Sequence, residues 1–344
     1  MEPKHIYWFA YHNADEASVR YRAIYPLQRM QEKHNISFDF VYPSYHWANV
    51  RHFIRVYVSV LFFRKRQSVI VYQKLFNKGP YTQLLRFLLF VRPSCSFYDI
   101  DDAEYLRRPD ETILYFAKRT TACLGGSTAL VEYLLRLNSR AYLLGSPVMR
   151  HHWLGQQQTG ALCLGWIGYY GAHRENLEQL LFPALKRLPF PVRLKLLGVQ
   201  SQSELDALSK SFSPFPHIVI EAPLNLNWHN EASIYQHISS FDLGLAPLLD
   251  TPFNQAKSAF KLKQCLSCGI PVLASPVGEN SRLLQDGING YLCADEEAFY
   301  QKLVRFKKLT PEQNKQMQLN ARASLAHFSL DHYCQQWLLA VENH

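Results

Sequence analysis

Short apolar runs alternate along the chain with longer segments whose apolar positions recur at helical spacing. In the first half the runs are IYWFAY, SFDFVYP, SVIVYQK, CSFYDI, ACLGGS and AYLLGS. They are rich in β-branched and aromatic residues and bounded by polar or glycine-containing breaks, which predicts strands. Helical patterns separate several of them, the first from Ser18 to His34. A second series follows, with strand-like runs ALCLGWIG, VRLKLLG, HIVIEAP, FDLGLAPL, IPVLASP and GYLC. Helices fit between them at Asn176 to Arg187, Glu204 to Ser211, Ala232 to Ser239, Ser258 to Ser267, Asn280 to Gln285 and Glu296 to Lys308. Strands that alternate with helices build parallel sheets covered on both faces, so the predicted fold class is α/β with two Rossmann-like domains facing a cleft.

The periodicity breaks once, in the polar stretch SPVMRHHWLGQQQTG between Gly145 and Gly160. This reads as an interdomain linker and divides the chain into a domain over 1–148 and a second over 160–328. The tail 329–344 holds a helix from Asp331 to Asn343 with one aromatic and apolar side, able to cover either domain. A chain of 344 residues exceeds what one hydrophobic core usually organises, which agrees with two domains.

Charge narrows the partners without choosing one. A net charge of +9 attracts anions, whether nucleic acid, acidic lipid headgroups or phosphorylated small molecules. No nucleic-acid-binding module is recognisable, so nucleic acid is not expected as a partner. The opening MEPKHIYWFAYHNADE does not read as a signal peptide, and a cytoplasmic location is expected. The most membrane-like runs, VYVSVLFF and LLRFLLFV, are far shorter than the roughly 20 residues that span a bilayer. Basic clusters at Arg51 to Arg55, Arg64 to Arg66, Arg86 and Arg92 surround these runs. They suit either peripheral attachment to the anionic inner face of a membrane or buried helices with solvated ends. The seven cysteines form no secreted-type framework and read as reduced thiols. Cys265 and Cys268 make a CxxC with no second pair at matching spacing, no HExxH occurs, and no metal site is expected. GGSTAL lacks the last glycine of a serine-hydrolase elbow.

The densest chemistry lies between Asp242 and Cys293. The strand FDLGLAPL leads into a loop, and open α/β sheets bind ligands beyond the carboxyl ends of their strands. Asp250 lies in that loop. Lys257, Ser258, Lys261 and Gln264 follow at a predicted helix start, which reads either as a phosphate site or as a solvated basic turn. Gly278, Glu279 and Asn280 mark a second strand-to-helix junction, where Asn280 or Ser281 is a possible cap. Upstream, GWIGYYGAHREN places Gly168 at another strand-to-helix turn with His173 and Arg174 behind it, either anion-binding or surface residues. In the first half, YDIDDAEY sets Asp99, Asp101 and Asp102 at the end of a strand, either orienting a hydroxyl or capping a helix. Arg20 and Arg22 follow the first strand and its polar loop.

The segment from Lys257 to Gly290 resembles the donor half of retaining glycosyltransferases of the GT-B class, glycosyl transferases group 1 or family 4-like. The resemblance rests on Cys-Gly-x-Pro-Val at Cys268 to Val272, a glycine loop at Gly278 with Glu279, and Asp-Gly-x-x-Gly at Asp286 to Gly290. KSAFKLKQCLSCG is also similar, position by position, to the Lys-Ser-Pro-x-Lys-x-x-Glu-Tyr-Met-Ala-x-Gly of a subgroup. Gln264 stands where that pattern has the ribose-binding glutamate, and Ala256 where the wider family has an acid that holds the donor sugar. Asp250 is the nearest substitute for the latter.

The resemblance implies a nucleoside diphosphate sugar as co-substrate, held in the C-terminal domain by Gly168, His173, Arg174, Asp250, Lys257, Ser258, Gln264, Gly278, Glu279 and Asn280. It implies Lys261 as the stabiliser of the departing diphosphate, and no metal or other cofactor. The N-terminal domain is then expected to hold a glycan or lipid-linked acceptor through Arg20, Arg22 and Asp99, with Asp101 or Asp102 as base. The resulting reading is a hexosyltransferase of cell-surface polysaccharide or lipopolysaccharide synthesis that acts with retention. Two other readings stand beside it: an inactive glycosyltransferase-like binding or scaffold protein, motivated by Gln264 and Ala256, and a sugar-nucleotide epimerase or phosphorylase of the same fold.

Overall fold

The computed structural model describes residues 3–108, 111–149 and 160–342. Contacts divide the chain into one unit of Met1–Pro147, Ala256–Ser258 and Phe328–His344 and another of Val148–Gln255 and Ala259–His327. The stretch taken as a linker lies largely outside the described residues, as do His151 and His152.

In the first unit the strands are β1 (His5–Ala10), β2 (Ser37–Val41), β3 (Ser68–Gln73), β4 (Ser96–Ile100), β5 (Ala122–Gly125) and β6 (Ala141–Leu143). They form one sheet in the order β2-β1-β3-β4-β5-β6, every pair parallel. Helices cover both faces of such a sheet, so its central strands are buried throughout: every residue of β1, β3, β4 and β5 is buried. That is why these strands read as continuous apolar runs. The helix Leu330–Glu342 belongs to this unit. It lays the fully buried Trp337 beside Trp8 and Phe97, with ring centroids 6.4 and 6.3 Å apart. The Tyr333 hydroxyl donates to the Arg22 carbonyl at 3.0 Å, and Arg29 and Lys33 hold Asp331 at 2.6 and 2.9 Å.

The second unit repeats the plan with β7 (Leu162–Ile167), β8 (Val192–Leu197), β9 (Ile218–Glu221), β10 (Leu243–Ala246), β11 (Val272–Ala274) and β12 (Gly290–Leu292). Their order is β12-β11-β10-β7-β8-β9, again all parallel. The core gathers Leu164, Trp166, Leu194, Leu243 and Leu273 from the sheet with Leu181, Phe299 and Leu303 from the helices. The α/β class and the two Rossmann-like sheets are therefore as the patterning predicts.

Several local expectations change. The segment from Ser18 to His34 is a short helix Ala17–Val19, a π-helical turn Arg20–Ile24 and the helix Tyr25–His34, so the single helix is interrupted. The segment from Asn176 to Arg187 likewise opens earlier, at Tyr170, and passes through a π turn over Leu177–Leu181. The helix expected from Ser258 begins at Phe260, because Ala259 takes a left-handed conformation with φ of 53° and breaks the run. Lys257 and Ser258 therefore precede that helix and group with the first unit. The patterning does not reveal the helix Pro311–Ala323, whose only buried residues are Met317 and Ala321.

Candidate functional site

Because every sheet pair in the second unit is parallel, the loops after β7, β8, β10 and β11 leave the same edge. The loops after β7 and β8 are pressed together. The Gly168 amide donates to the Leu197 carbonyl at 2.9 Å and the Tyr170 amide to the Gly198 carbonyl at 3.0 Å. Both glycines have positive φ, 150° and 122°, and a Cβ on Gly198 would lie 1.6 Å from the Gly168 oxygen. No side chain fits between these turns, which is why both positions are glycine.

The room beside Gly168 is taken by Lys261. Its Cε and Nζ pass 2.5 and 2.7 Å from where a Gly168 Cβ would be, and its ammonium lies 4.6 Å from the centre of the Trp166 ring. A cation over an indole face is held there electrostatically, which fixes the position of its charge beside the turn. Gln264, one turn along the same helix, is 6% exposed. His173 packs edge-on to Trp166 at 6.0 Å and meets Asn176 at 3.3 Å. Arg174 lies outside this group, 62% exposed and paired with Glu178 at 2.7 Å on its own helix.

The loop after β10 is built by residues that the sequence did not single out. The Asn176 side-chain oxygen accepts from the Leu249 amide at 2.8 Å and from Asn254 at 3.2 Å, and Asn254 donates on to the Leu249 carbonyl at 2.9 Å. Gln255 donates to Asp250 at 2.6 Å and accepts from the Gly278 amide at 2.9 Å. One glutamine thus ties together two of the expected donor contacts. Asn280 is buried and donates to the Ser275 carbonyl at 3.2 Å, while Glu279 holds the position before the helix Asn280–Leu283 without a side-chain cap. The expectation that Asn280 or Ser281 caps that helix is therefore corrected. Asn176 and Asn254 carried no recognisable signal, because the bonds that join Asn176 to Leu249 and Asn254 span 73 and 78 positions of sequence.

At the carboxyl edge of the first sheet, β4 delivers the acidic cluster. Asp99 is fully buried and bonded in a fork by Arg22, Nε to Oδ2 at 3.0 Å with Nη2 to Oδ1 alongside. Arg22 also donates to the Leu144 carbonyl at 2.5 Å and the Ser146 hydroxyl at 3.4 Å. Burial opposes the charge on Arg22, but the Asp99 carboxylate outweighs it and holds the guanidinium above its ordinary pKa. Arg20, 5% exposed, donates to the carbonyls of Ala14 and Asp15 at 2.7 and 2.8 Å and so fastens the loop after β1.

Asp101 and Asp102 meet cations. Lys74, just past β3, lies 2.9 Å from Asp101 and 3.4 Å from Asp102, and Lys257 reaches Asp102 at 3.0 Å. Burial pushes the Asp102 carboxyl up, but the two ammonium groups pull it down to about 2. Lys74 stays protonated, raised by the two aspartates despite its burial. His12, past the end of β1, is held below its ordinary value chiefly by burial. Neither Lys74 nor His12 was anticipated; each follows the end of a strand without a motif around it, and the strand order brings it to this edge. Ser258 is partly buried between these segments and the second unit's helix in sequence, and no bond of its side chain enters either network.

Residues 162–308 match the family model of glycosyl transferases group 1. No curated protein matches the chain in sequence. Among solved structures, the chain is similar to HepE from Anabaena, crystallised in complex with UDP-glucose, at 13% identity over 99% of this chain and 100% of that one, with a TM-score of 0.69. It is similar to sucrose-phosphate synthase from Thermosynechococcus elongatus at 11% identity over 99% and 98%, TM-score 0.74. It is also similar to the lipopolysaccharide outer core galactosyltransferase WaaB at 12% identity over 98% and 99%, TM-score 0.68. The fold is that of GT-B glycosyltransferases, and the matched segment lies within the second unit except for Ala256–Ser258.

Proposed function

We propose that this chain, whose segment 162–308 matches the group 1 glycosyltransferases, moves a hexose from a nucleoside diphosphate sugar to a hydroxyl of a glycan or lipid-linked acceptor, with retention. The observation that carries the reading is the placing of the Lys261 ammonium against the Gly168 turn, where β7 passes into its helix. A fixed cation near the start of a helix is what a diphosphate needs beside it.

In the step proposed, the bond between the anomeric carbon and the diphosphate oxygen breaks and both electrons leave on that oxygen. Lys261 stabilises the charge that develops there, in place of a metal ion. The acceptor oxygen bonds to the anomeric carbon from the same face and gives up its proton. Asp101 and Asp102 are the proposed proton acceptors, and Arg20, Arg22 and Asp99, whose own bonds are made inside the first unit, are proposed to brace the acceptor-binding loops. Gln264 and Asp250 are proposed to meet the ribose and the sugar, and Gly278, Glu279, Asn280, His173 and Arg174 to complete the donor contacts with Lys257 and Ser258. Because HepE was crystallised with UDP-glucose and WaaB is a lipopolysaccharide galactosyltransferase, UDP-hexoses and a cell-surface glycan are the first substrates to test.

A second reading, an inactive protein that binds a sugar nucleotide, is favoured by one observation: Gln264 and Ala256 replace the two carboxylates of the family pattern. Thermal shift with a panel of nucleoside diphosphate sugars, followed by transfer assays, separates the two. Donor binding with turnover supports the transferase, and binding without turnover on any acceptor supports the second reading. Lys261→Ala is expected to lower turnover by about 10²–10³-fold with an unchanged melting temperature. Unchanged turnover would remove Lys261 from the mechanism.

A further inference from the structure

The first unit carries a surface that the proposed reaction does not use. The helix Trp47–Phe63 buries Val56 and Val60 and turns Trp47, Arg51, Ile54, Val58 and Phe62 outward. These five recur at spacings of four, three, four and four, which is one face of a helix. The helix Pro80–Val91 buries Leu85, Leu88 and Leu89 and exposes Leu84, Phe87, Phe90 and Val91. The two helices run side by side in the same direction. Phe53 packs on Tyr81 at 5.2 Å, the Tyr57 hydroxyl donates to the Leu84 carbonyl at 3.2 Å, and Arg92 donates to the Leu61 carbonyl at 2.6 Å.

The outer faces therefore merge into one apolar surface. Phe62, Phe63 and Phe90 are 64%, 75% and 71% exposed, and Trp47 73%. Large aromatic side chains left in water at this density mark a surface made to be covered.

Charge identifies the cover. Between Asp39 and Asp99 the chain has nine Lys and Arg residues and no Asp or Glu. Arg51 sits on the exposed stripe itself, Arg55 is 73% exposed beside it, and Lys65 and Arg66 are exposed just past the helix end. A second copy of this chain docked by the same face would bring these cations against each other. An acidic headgroup layer would not. Among the described residues no helix is long and apolar enough to cross a membrane, so the face is suited to lie in the interface plane.

We propose that the faces of Trp47–Phe63 and Pro80–Val91 form a docking surface for an anionic lipid bilayer. The aromatic side chains insert at headgroup depth, and Arg51, Arg55, Lys65 and Arg66 pair with the lipid phosphates. The proposal stands on this surface alone and does not depend on the donor chemistry.

The test is sedimentation of the full chain with vesicles of phosphatidylcholine alone or with added phosphatidylglycerol, at low and high salt. Binding to the anionic vesicles that weakens with salt is expected. Arg51→Glu/Arg66→Glu and Phe62→Ser/Phe87→Ser should each weaken partitioning by at least about tenfold with unchanged circular dichroism and melting. Three results would overturn the proposal: no binding of the parent chain to anionic vesicles, equal binding to phosphatidylcholine alone, or both variants retaining full binding. So would a dimer that the Phe62/Phe87 variant dissociates while the parent ignores vesicles, which would assign the face to a second copy.

Discussion

Replacing Arg22 by methionine should destabilise the first unit severely while a matched double replacement should not. Both partners of the Arg22–Asp99 pair are fully buried, and the guanidinium makes two bonds to the carboxylate and further bonds to Leu144 and Ser146. Removing it strands a carboxylate out of water, which costs about 3–5 kcal/mol. For a unit of this size each kcal/mol lowers the melting temperature by roughly 2–4 °C, so a fall of roughly 6–20 °C is expected in its unfolding transition. Arg22→Met/Asp99→Leu removes both charges and should recover most of that loss, because apolar side chains of similar volume commonly replace a buried ion pair without penalty. Calorimetry and urea titration of the parent, the two single variants and the double variant close the cycle. A single-variant loss under about 1 kcal/mol, or a double variant as unstable as Arg22→Met, would refute the claim that this pair is coupled and charged.

Acid should release the Asp102 contribution. Its carboxyl is held at about 2 in the folded chain against an ordinary 3.8, so its stabilisation is complete above pH 4 and is lost as pH falls toward 2. The difference corresponds to about 2 kcal/mol, and Asp102→Asn should flatten the stability curve by that amount between pH 4 and 2; an unchanged slope in urea titrations would contradict the pairing with Lys74 and Lys257. Gly198→Ala should cost at least about 1–3 kcal/mol and abolish donor binding, since a Cβ there collides with the Gly168 carbonyl. A variant that melts and binds normally would show that the two turns are not held together as described.

Much of the architecture is legible in the apolar runs because parallel strands are buried on both faces, and each run such as IYWFAY or SVIVYQ becomes a strand. The places of Gly168 just after a strand and of Lys261 near a helix start are legible too. What escapes is whatever depends on pairing across the sheet. Arg22 and Asp99 are 77 positions apart, and nothing in SVRYRA or YDIDD says that one spends its fork on the other. The start of the helix after Ser258 is misread because a left-handed alanine leaves no trace in composition: Ala259 is a good helix former held out of the helix by its surroundings. Helix Pro311–Ala323 is missed for the opposite reason, as its capping box of Thr310 and Gln313 is plain but its apolar stripe is only two residues wide.

The assignment of Phe328–His344 to the first unit sets an order of events on the ribosome. Trp8 and Phe97 emerge before the second unit's strands, yet the indole of Trp337 that packs beside them is made after all of those strands. The second unit draws its sheet from residues 162–292, so its strands are all in hand while the N-terminal sheet still waits for its final helix. The first sheet thus precedes the second in synthesis but gains its packed helix after it, and during that interval its aromatic core lacks part of its cover.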